Sequence, residues 1–355
     1  MNVSYRIPIP AVDFTPPVYT CKRATKPFVL DGNIEKEFWA DAAYTDYFLD
    51  IEGSHMPAPR YTTRAKMLWD NQNLYFAARL DGPEIWATLT ERDCVIFYDN
   101  DFEIFIDPDS DTQQYYEFEM NAHNTVWDLL LTKAYRDKGK PVNGFDLHGM
   151  QSAVYINGKL NDPSADNLYW SVEVVIPFAA LYECAQYNRI PKNGEYYRIN
   201  FSRVQWKVDH IDNSYIKQIN PETGKHYPED NWVWAPTGVI NIHYPELWSF
   251  VFFSDESKNE EGCIIPEDER IKWELRKLYY AEQSYWDETG HFTNSLDSLT
   301  EVLRRLSPVE CNKTVKPLSY VIETTSHSFE IQCPNYDNTG IIAIFSDGKI
   351  ECISH

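Results

Sequence analysis

The sequence lacks the signature motifs of most enzyme classes. No nucleophile elbow, HExxH motif, Walker loop or GxGxxG loop occurs in its 355 residues. It also lacks an excess of basic residues, since 32 Lys and Arg stand against 54 Asp and Glu, for a formal net charge of −22. Such a charge disfavours nucleic acid and anionic membrane as partners, and no apolar run is long enough to span a bilayer. A glycoside hydrolase stays open, because its two carboxylates have no fixed spacing in sequence.

Paired or clustered cysteines are missing as well. The seven cysteines are scattered, odd in number and contain no CxxC pair, which fits neither a zinc site nor a dense disulfide framework. Aromatic residues, by contrast, make up 15% of the chain, with 24 Tyr and 11 Trp. Half-buried rings of an all-β protein explain most of them. Rings that stack on sugars are the alternative, and composition alone does not separate the two.

Short alternating runs predict a mainly β protein built as a β-sandwich. We expect an extended, proline-containing arm at 1–20, the sandwich at 21–256, and a small α+β domain at 263–355 after a polar linker at 257–262. A helical turn is expected at 34–43 and a long polar loop at 207–229. The strands predicted for the sandwich are 28–32, 64–70, 74–80, 101–107, 115–121, 151–157, 169–176, 196–205 and 248–253.

The C-terminal part shows a change of period. Apolar residues at helical spacing predict a helix at 266–286, which Gly290 would end, and a second helix at 295–306 before Pro308. Four alternating runs, at 320–324, 329–332, 341–345 and 350–353, then predict a small antiparallel sheet. The polypeptide therefore reads as a large β unit followed by a small α+β unit.

An acidic hairpin is the most informative feature for function. The runs Asp101-Phe-Glu-Ile-Phe-Ile-Asp107 and Tyr115-Tyr-Glu-Phe-Glu-Met-Asn121 alternate along two strands, so Glu103, Glu117 and Glu119 fall on one face if the two sides coincide. Carboxylates that lie this close together on one face raise each other's pKa. They could bind a cation, accept hydrogen bonds from sugar hydroxyls, act as a glycosidase pair, or form a solvated acidic face. The rings and amide nearby, including Trp127, favour a ligand surface.

Other polar groups have a structural and a functional interpretation each. The Asp107-x-Asp109-x-Asp111 run lacks the glycine and glutamate of an EF-hand, so turn chemistry is favoured over calcium. Arg203 could hydrogen-bond a sugar or neutralise the acidic face, with the structural role favoured. Trp232 and Trp234 could stack on a ligand, but core packing is favoured. His243 could line a site, but a lone histidine is more often simply hydrogen-bonded.

Three ordered motifs are similar to those of a known family. Phe28-Val-Leu-Asp-Gly-Asn-Ile-Glu-Lys-Glu-Phe-Trp39, Leu68-Trp-Asp-Asn-Gln-Asn-Leu-Tyr-Phe76 and the strand 101–107 resemble family 9 carbohydrate-binding modules and their "family 9-like" relatives. The resemblance spans about 20–255. It implies a β-sandwich related to DOMON domains, often with bound calcium, that recognises sugar chain ends and supports polysaccharide degradation in the periplasm or outside the cell. Residues 1–10 show no signal peptide.

The resemblance also implies a set of site residues. Glu103 and Asn121 match the two polar positions of the family site, whereas the arginine expected two residues before the asparagine is Glu119 here. One sandwiching tryptophan falls near Tyr98, and the second, near His243, is not preserved. The predicted ligand-binding residues are Tyr98, Glu103, Glu119, Asn121, Trp127 and Arg203.

We therefore predict a non-catalytic module that binds an oligo- or polysaccharide, with calcium as the one candidate cofactor in a structural role. A glycoside hydrolase using two of Glu103, Glu117 and Glu119 is the first alternative. A haem-binding electron-transfer domain with Met67 or Met120 as an axial ligand is the second, drawn from the DOMON relationship.

Overall fold

The computed structural model describes residues 6–255, 263–307 and 318–354. Its strands and helices are, in chain order, β1 (Val18–Arg23), β2 (Leu49–Asp50), β3 (Thr63–Trp69), β4 (Asn73–Asp81), β5 (Asp101–Asp107), β6 (Gln113–Asn121), β7 (Val126–Lys133), β8 (Pro141–Val142), β9 (Gln151–Asn157), β10 (Tyr169–Pro177), β11 (Tyr196–Gln205), β12 (Val208–Ile211), β13 (Ser214–Lys217), β14 (Asp230–Val233), β15 (Ser249–Ser254), α1 (Glu267–Thr289), α2 (Leu296–Leu306), β16 (Val321–Thr324), β17 (Phe329–Pro334), β18 (Gly340–Phe345) and β19 (Ile350–Ser354). The predicted linker at 257–262 and Pro308 lie outside the described residues.

One large curled sheet forms the β unit. Thirteen strands belong to it, in the order β8-β7-β6-β5-β11-β15-β1-β3-β4-β10-β9, while β14 pairs with β11 and β2. Every second residue points inward, so Ile104 of β5 and Phe118 of β6 meet Phe76 of β4 and Val172 of β10 in one hydrophobic core. The predicted class, a β-sandwich followed by a small α+β unit, is confirmed.

The C-terminal unit consists of α1, α2 and a four-stranded antiparallel sheet in the order β16-β17-β18-β19. Gly290, with φ of +78°, ends α1 as predicted, because glycine adopts the left-handed conformation without steric cost. Leu275, Leu278 and Ile331 share their core with Ile7 of the N-terminal arm. Neither α1 nor α2 combines the length and hydropathy needed to cross a membrane.

Three local expectations are wrong. Residues 28–32 form no strand, because Phe28 and Leu30 instead pack their side chains into a side cluster with Trp39. The polar stretch 207–229 contains the hairpin β12–β13, in which Tyr215 is buried against Trp206. The arm ends earlier than expected, since β1 begins at Val18. The division into domains at 21–256 and 263–355 stays a prediction.

Candidate functional site

The pairing of β5 with β6 places the acidic side chains on one face of the sheet. Glu103 lies opposite Glu119, Asp101 opposite Asn121, and Phe105 opposite Glu117. Phe102, Ile104 and Ile106 alternate with them and point into the core. The side chains of the two runs therefore coincide as the alternation predicts, because directly paired residues of antiparallel strands share a face.

Three of these carboxylates form a compact group. One oxygen from each of Asp101, Glu103 and Glu119 lies within 4.8 Å of the other two. We refer to these three residues as the acidic trio. Glu117 lies beside them on the same face of β6, and its charge contributes to the raised pKa of Glu119. The trio lies side by side on adjacent strands, whereas a glycosidase pair faces its substrate from two sides of a cleft.

The acidic trio is buried beneath the segment 84–99. Residual exposure is 0% for Asp101, 6% for Glu103 and 2% for Glu119. The backbone N–H of Phe97 donates a hydrogen bond of 3.2 Å to Glu119 Oε2, and the backbone N–H of Val204 donates one of 3.2 Å to Asp101 Oδ1. An open, solvated acidic face is therefore wrong as an interpretation, since the chain covers these charges.

Burial raises the pKa of all four carboxyl groups. Beyond burial, the charge of Glu103 raises the pKa of Asp101, Glu117 and Glu119 well above the usual range. The pKa of Glu103 rises to about 7, mainly through burial; a hydrogen bond from Ser202 opposes this rise and the charge of Glu229 adds to it. Carboxylates that are buried side by side are stabilised by taking up a proton or by binding a cation.

Several buried polar atoms at this face have no hydrogen-bond partner among the described residues. They are Asp101 Oδ2, Glu117 Oε2 and the indole Nε1 of Trp127, which lies opposite Glu119 on β7. A buried polar atom without a partner costs free energy, so native proteins keep few of them. These three atoms lie on three adjacent strands of one face, where they offer two acceptors and one donor.

Asn121 lies under the segment 84–99, which we refer to as the covering segment. Its Nδ2 donates to the carbonyl of Leu89 at 2.9 Å and to Asp99 Oδ2 at 3.0 Å. Its Oδ1 accepts from the backbone N–H groups of His123 and Thr125. These four bonds use the whole capacity of an amide. The predicted sugar contact is therefore revised: Asn121 positions the covering segment and has no free polar atom for a ligand.

Aromatic residues lie near the acidic trio, since Trp127 is opposite Glu119 and Tyr98 follows Phe97, whose backbone contacts Glu119. Tyr98 is 55% exposed and Tyr135 is 40% exposed, whereas Trp127 is 9% exposed. After burial, the charges of Glu117 and Glu119 are the main cause of a raised pKa at Tyr135. The structure thus brings the predicted residues Tyr98, Glu119 and Trp127 into one region with Glu103, and adds Asp101 and Tyr135.

Arg203 is not part of this region. Ser202 lies opposite Glu103, so its neighbour Arg203 points to the other face of β11. There its guanidinium donates to Gln205 Oε1 at 2.7 Å, to Thr63 Oγ1 and to backbone carbonyls. Its role is structural, and it neutralises none of the acidic trio. Trp232 and Trp234 lie in the hydrophobic core, as favoured.

The second acidic run is built differently from the acidic trio. Asp107, Asp109 and Asp111 also lie close together, but Asp107 accepts hydrogen bonds from the backbone N–H groups of Ser110 and Thr112. Asp109 and Asp111 accept backbone N–H groups two residues ahead. Burial raises the pKa of both groups, and these hydrogen bonds and the charge of Lys272 offset part of the rise. Turn chemistry accounts for this run.

The two methionines of the haem alternative lie in the main core. Met67 of β3 and Met120 of β6 are fully buried among apolar side chains. Met120 points away from the face that carries Glu119, because adjacent residues of a strand alternate. Packing explains both residues, and no feature of their surroundings favours a haem.

His243 is held by aromatic residues at the margin of the acidic face. Its Nδ1 lies 2.9 Å from the hydroxyl of Tyr115. Its ring packs edge to face against Tyr135 and Phe105, with ring centroids 4.5 Å and 5.8 Å apart. Burial, followed by the charge of Arg136, lowers the pKa of His243 to about 3. The favoured role of hydrogen bonding is what the structure shows.

This lowered pKa makes His243 a source of acid sensitivity. The unfolded chain binds a proton at His243 below about pH 6.5, while the folded chain does so only near the folded pKa of about 3. Stability is therefore present above pH 6.5 and falls by up to about 1.4 kcal/mol per pH unit below it. We expect His243→Gln to flatten this fall in urea unfolding between pH 7 and 4. Equal slopes for wild type, His243→Gln and the exposed control His226→Gln would contradict this.

Two residues of this region are absent from the predicted ligand-binding set. Asp101 alternates with Glu103 along β5, and this signal was sufficient to include it in the site. Tyr135 follows β7 in a short 3-10 turn, Tyr135–Asp137, and no sequence pattern indicates that the turn brings it back to the face.

Comparison with known proteins identifies the family. The family model described as "Carbohydrate family 9 binding domain-like" matches residues 30–227, more than half of the chain. The chain belongs to this family. No significant match was found among curated proteins.

Solved structures with a similar chain path come from carbohydrate-binding proteins. One is a candidate carbohydrate-binding protein from Bacteroides uniformis, 14% identical, with a TM-score of 0.48, covering 68% of this chain and 100% of its own. Another is a family 9 carbohydrate-binding module from Caldicellulosiruptor kristjanssonii in complex with cellotriose, 16% identical, with a TM-score of 0.40, covering 70% and 100%. The same module in complex with glucose has a TM-score of 0.39 at 16% identity and covers 68% and 99%.

Proposed function

We propose that this family 9 member binds a carbohydrate, without converting it, at the face formed by the acidic trio and its aromatic surround. The observation that carries the proposal is the group of unpartnered buried polar atoms near exposed rings, on strands that lie within the family match at 30–227. Sugars need both elements, because their hydroxyls seek hydrogen bonds while their C–H faces pack on aromatic rings.

In this proposal Tyr98 and Tyr135 provide ring surfaces, and Glu103 and Glu119 provide acceptors. Asn121 and Asp99 hold the covering segment in place through their mutual hydrogen bond of 3.0 Å. Such a module would support polysaccharide degradation by holding the glycan in reach of enzymes, in the periplasm or outside the cell. A hydrolytic role is less well supported, because the carboxylates share one wall of the site.

The test is a calorimetric titration with a panel of mono- and oligosaccharides in a calcium-containing buffer. We expect one class of glycan to bind and Tyr98→Ala to weaken it roughly tenfold, because burying one ring is worth about 1–2 kcal/mol. Tyr336→Ala is the matched control, since Tyr336 is 54% exposed, as Tyr98 is at 55%, but lies in the C-terminal unit.

Two results would contradict the proposal. The first is the absence of heat for every glycan with folded wild-type protein. The second is an affinity that Tyr98→Ala and Tyr336→Ala leave equally unchanged. Hydrolysis products appearing during the titration would instead support the glycoside hydrolase alternative.

A further inference from the structure

The acidic trio has no cationic side chain paired with it among the described residues. None of the ion pairs among the described residues involves Asp101, Glu103, Glu117 or Glu119. A buried carboxylate without a cation or a full set of donors is costly. The fold nevertheless holds four of them together on two strands.

A lysine that lies in this region is directed elsewhere. Lys217 carries its Nζ 3.3 Å from the ring centroid of Trp206 and 5.8 Å from that of Tyr98. Burial lowers the pKa of Lys217, and the charges that oppose this effect are those of Asp99 and Glu229. Lys217 therefore serves the rim of the site and leaves the acidic trio uncompensated.

Two unpartnered oxygens point to a ligand independently of the clustering. Asp101 Oδ2 is fully buried and accepts no hydrogen bond, although Oδ1 of the same group does. Glu117, outside the trio and only 5% exposed, has a similarly unpartnered Oε2. The contrast with Asp107 is direct, because that carboxylate accepts a backbone N–H at each of its two oxygens.

The spacing of the oxygens fits one hard divalent ion. Calcium takes six to eight oxygen ligands at about 2.3–2.6 Å, so oxygens bound to one calcium ion lie at most about 5 Å apart. The oxygens of Asp101, Glu103 and Glu119 meet this limit at 4.8 Å. All ligands offered are carboxylate oxygens, which favours calcium or magnesium over zinc or copper, and the flexible, non-octahedral coordination of calcium suits oxygens from two adjacent strands.

We propose that Asp101, Glu103 and Glu119 bind a calcium ion, with Glu117 as a further acceptor beside it. Three protein carboxylates leave coordination positions open, and hydroxyl pairs of a sugar can fill such positions. Calcium would then supply the positive charge that the acidic trio lacks among the described residues. The metal site stands on its own observations, whereas the bridging role rests on the proposed carbohydrate function.

Direct metal titration tests the site. Wild-type protein, stripped with EDTA and then titrated with calcium alone, should show a binding step that Glu119→Gln weakens roughly tenfold or more. Asp109→Asn is the matched control in the second acidic run and should keep that step. Terbium should replace calcium with luminescence sensitised by Trp127, which lies opposite Glu119. Identical isotherms for wild type and Glu119→Gln would overturn the proposal.

Thermal unfolding separates loss of the site from misfolding. Glu119→Gln removes one like charge from the cluster, so in EDTA its melting temperature should equal or exceed that of wild type. In calcium the order should reverse, since only wild type gains fully from binding. A variant that melts lower than wild type by the same amount in both buffers would overturn the assignment of Glu119 as a ligand.

The glycan titration, repeated with and without EDTA, distinguishes the two proposals. Glycan binding that disappears in EDTA and returns with calcium supports both. Glycan binding unaffected by EDTA overturns the bridging role and keeps carbohydrate binding. A calcium step lost in Glu119→Gln, without binding of any glycan, supports the metal site and overturns the carbohydrate function.

Discussion

Glu246→Ala is expected to lower the free energy of unfolding by about 3–5 kcal/mol, because it leaves the buried Arg276 without an anion and the buried Arg136 with Asp137 alone. Glu246 accepts from Arg136 at 2.9 Å, lies 3.6 Å from Arg276 Nε and accepts a hydrogen bond from the hydroxyl of Tyr280. The side chains of Arg136 and Arg276 are 3% and 0% exposed. Urea unfolding at pH 7 measures the loss.

The same carboxylate gives the effect a defined pH dependence. Burial alone would raise the pKa of Glu246, but the charges of Arg136 and Arg276 outweigh it and hold this pKa below its usual range. The stabilisation is therefore complete above the unfolded pKa of about 4.3 and is lost as the pH falls through the folded value. The difference between wild type and Glu246→Ala should shrink at the lowest pH.

A surface pair serves as the control for Glu246. Glu301 and Arg304 form an exposed ion pair of 2.7 Å on α2, and Glu301→Ala should change the free energy of unfolding far less than Glu246→Ala, because solvent screens exposed pairs. A loss at Glu246 no larger than at Glu301 would contradict the expectation. The contrast also reports on architecture, because Arg136 and Glu246 belong to the β unit while Arg276 and Tyr280 belong to α1.

Glu173→Ala is the second substitution with a large expected effect, again roughly 3–5 kcal/mol. Glu173 of β10 is fully buried. Its Oε2 accepts from Lys36 Nζ at 2.8 Å and from the backbone N–H of Gly32 at 2.9 Å, and its Oε1 accepts from Trp39 Nε1 at 2.6 Å. Alanine leaves the buried N–H groups of Gly32 and Trp39 without this acceptor, whereas Lys36 keeps its ion pair with Asp31.

The expected loss applies to the whole segment 31–39, which carries part of the first family motif. Gly32, at φ of +77°, approaches the backbone of Val154 and Tyr155 so closely that an added Cβ would lie 2.4 Å from it. Glu173→Gln should cost less than Glu173→Ala in denaturant unfolding, because the amide keeps one acceptor oxygen. Glu35→Ala, at an exposed carboxylate of the same segment, should change stability little. Equal losses for Glu173→Ala and Glu35→Ala would show that the buried network is unimportant.

The first family motif shows why the strand predicted at 28–32 is wrong. Residues 28–32 have strand-like composition, yet they cross above β9 and β10 as an irregular segment tied down by Glu173. Local propensity does not encode a carboxylate more than 130 residues away. The hairpin β12–β13 was missed because its composition is polar and does not resemble that of a strand. Only Val208 and Tyr215 of its two strands are buried.

The sequence by itself determined the fold class, the main strands and the face shared by Glu103, Glu117 and Glu119, because a strand alternates with a period of two and that period is written in the residues. Only the tertiary structure decided what covers this face, which oxygens have partners, and that Arg203 points away. These properties depend on contacts between residues far apart in the chain, such as Phe97 with Glu119 and Leu89 with Asn121. Alternation places a side chain on a face, whereas burial and hydrogen bonding depend on which distant segment folds over it.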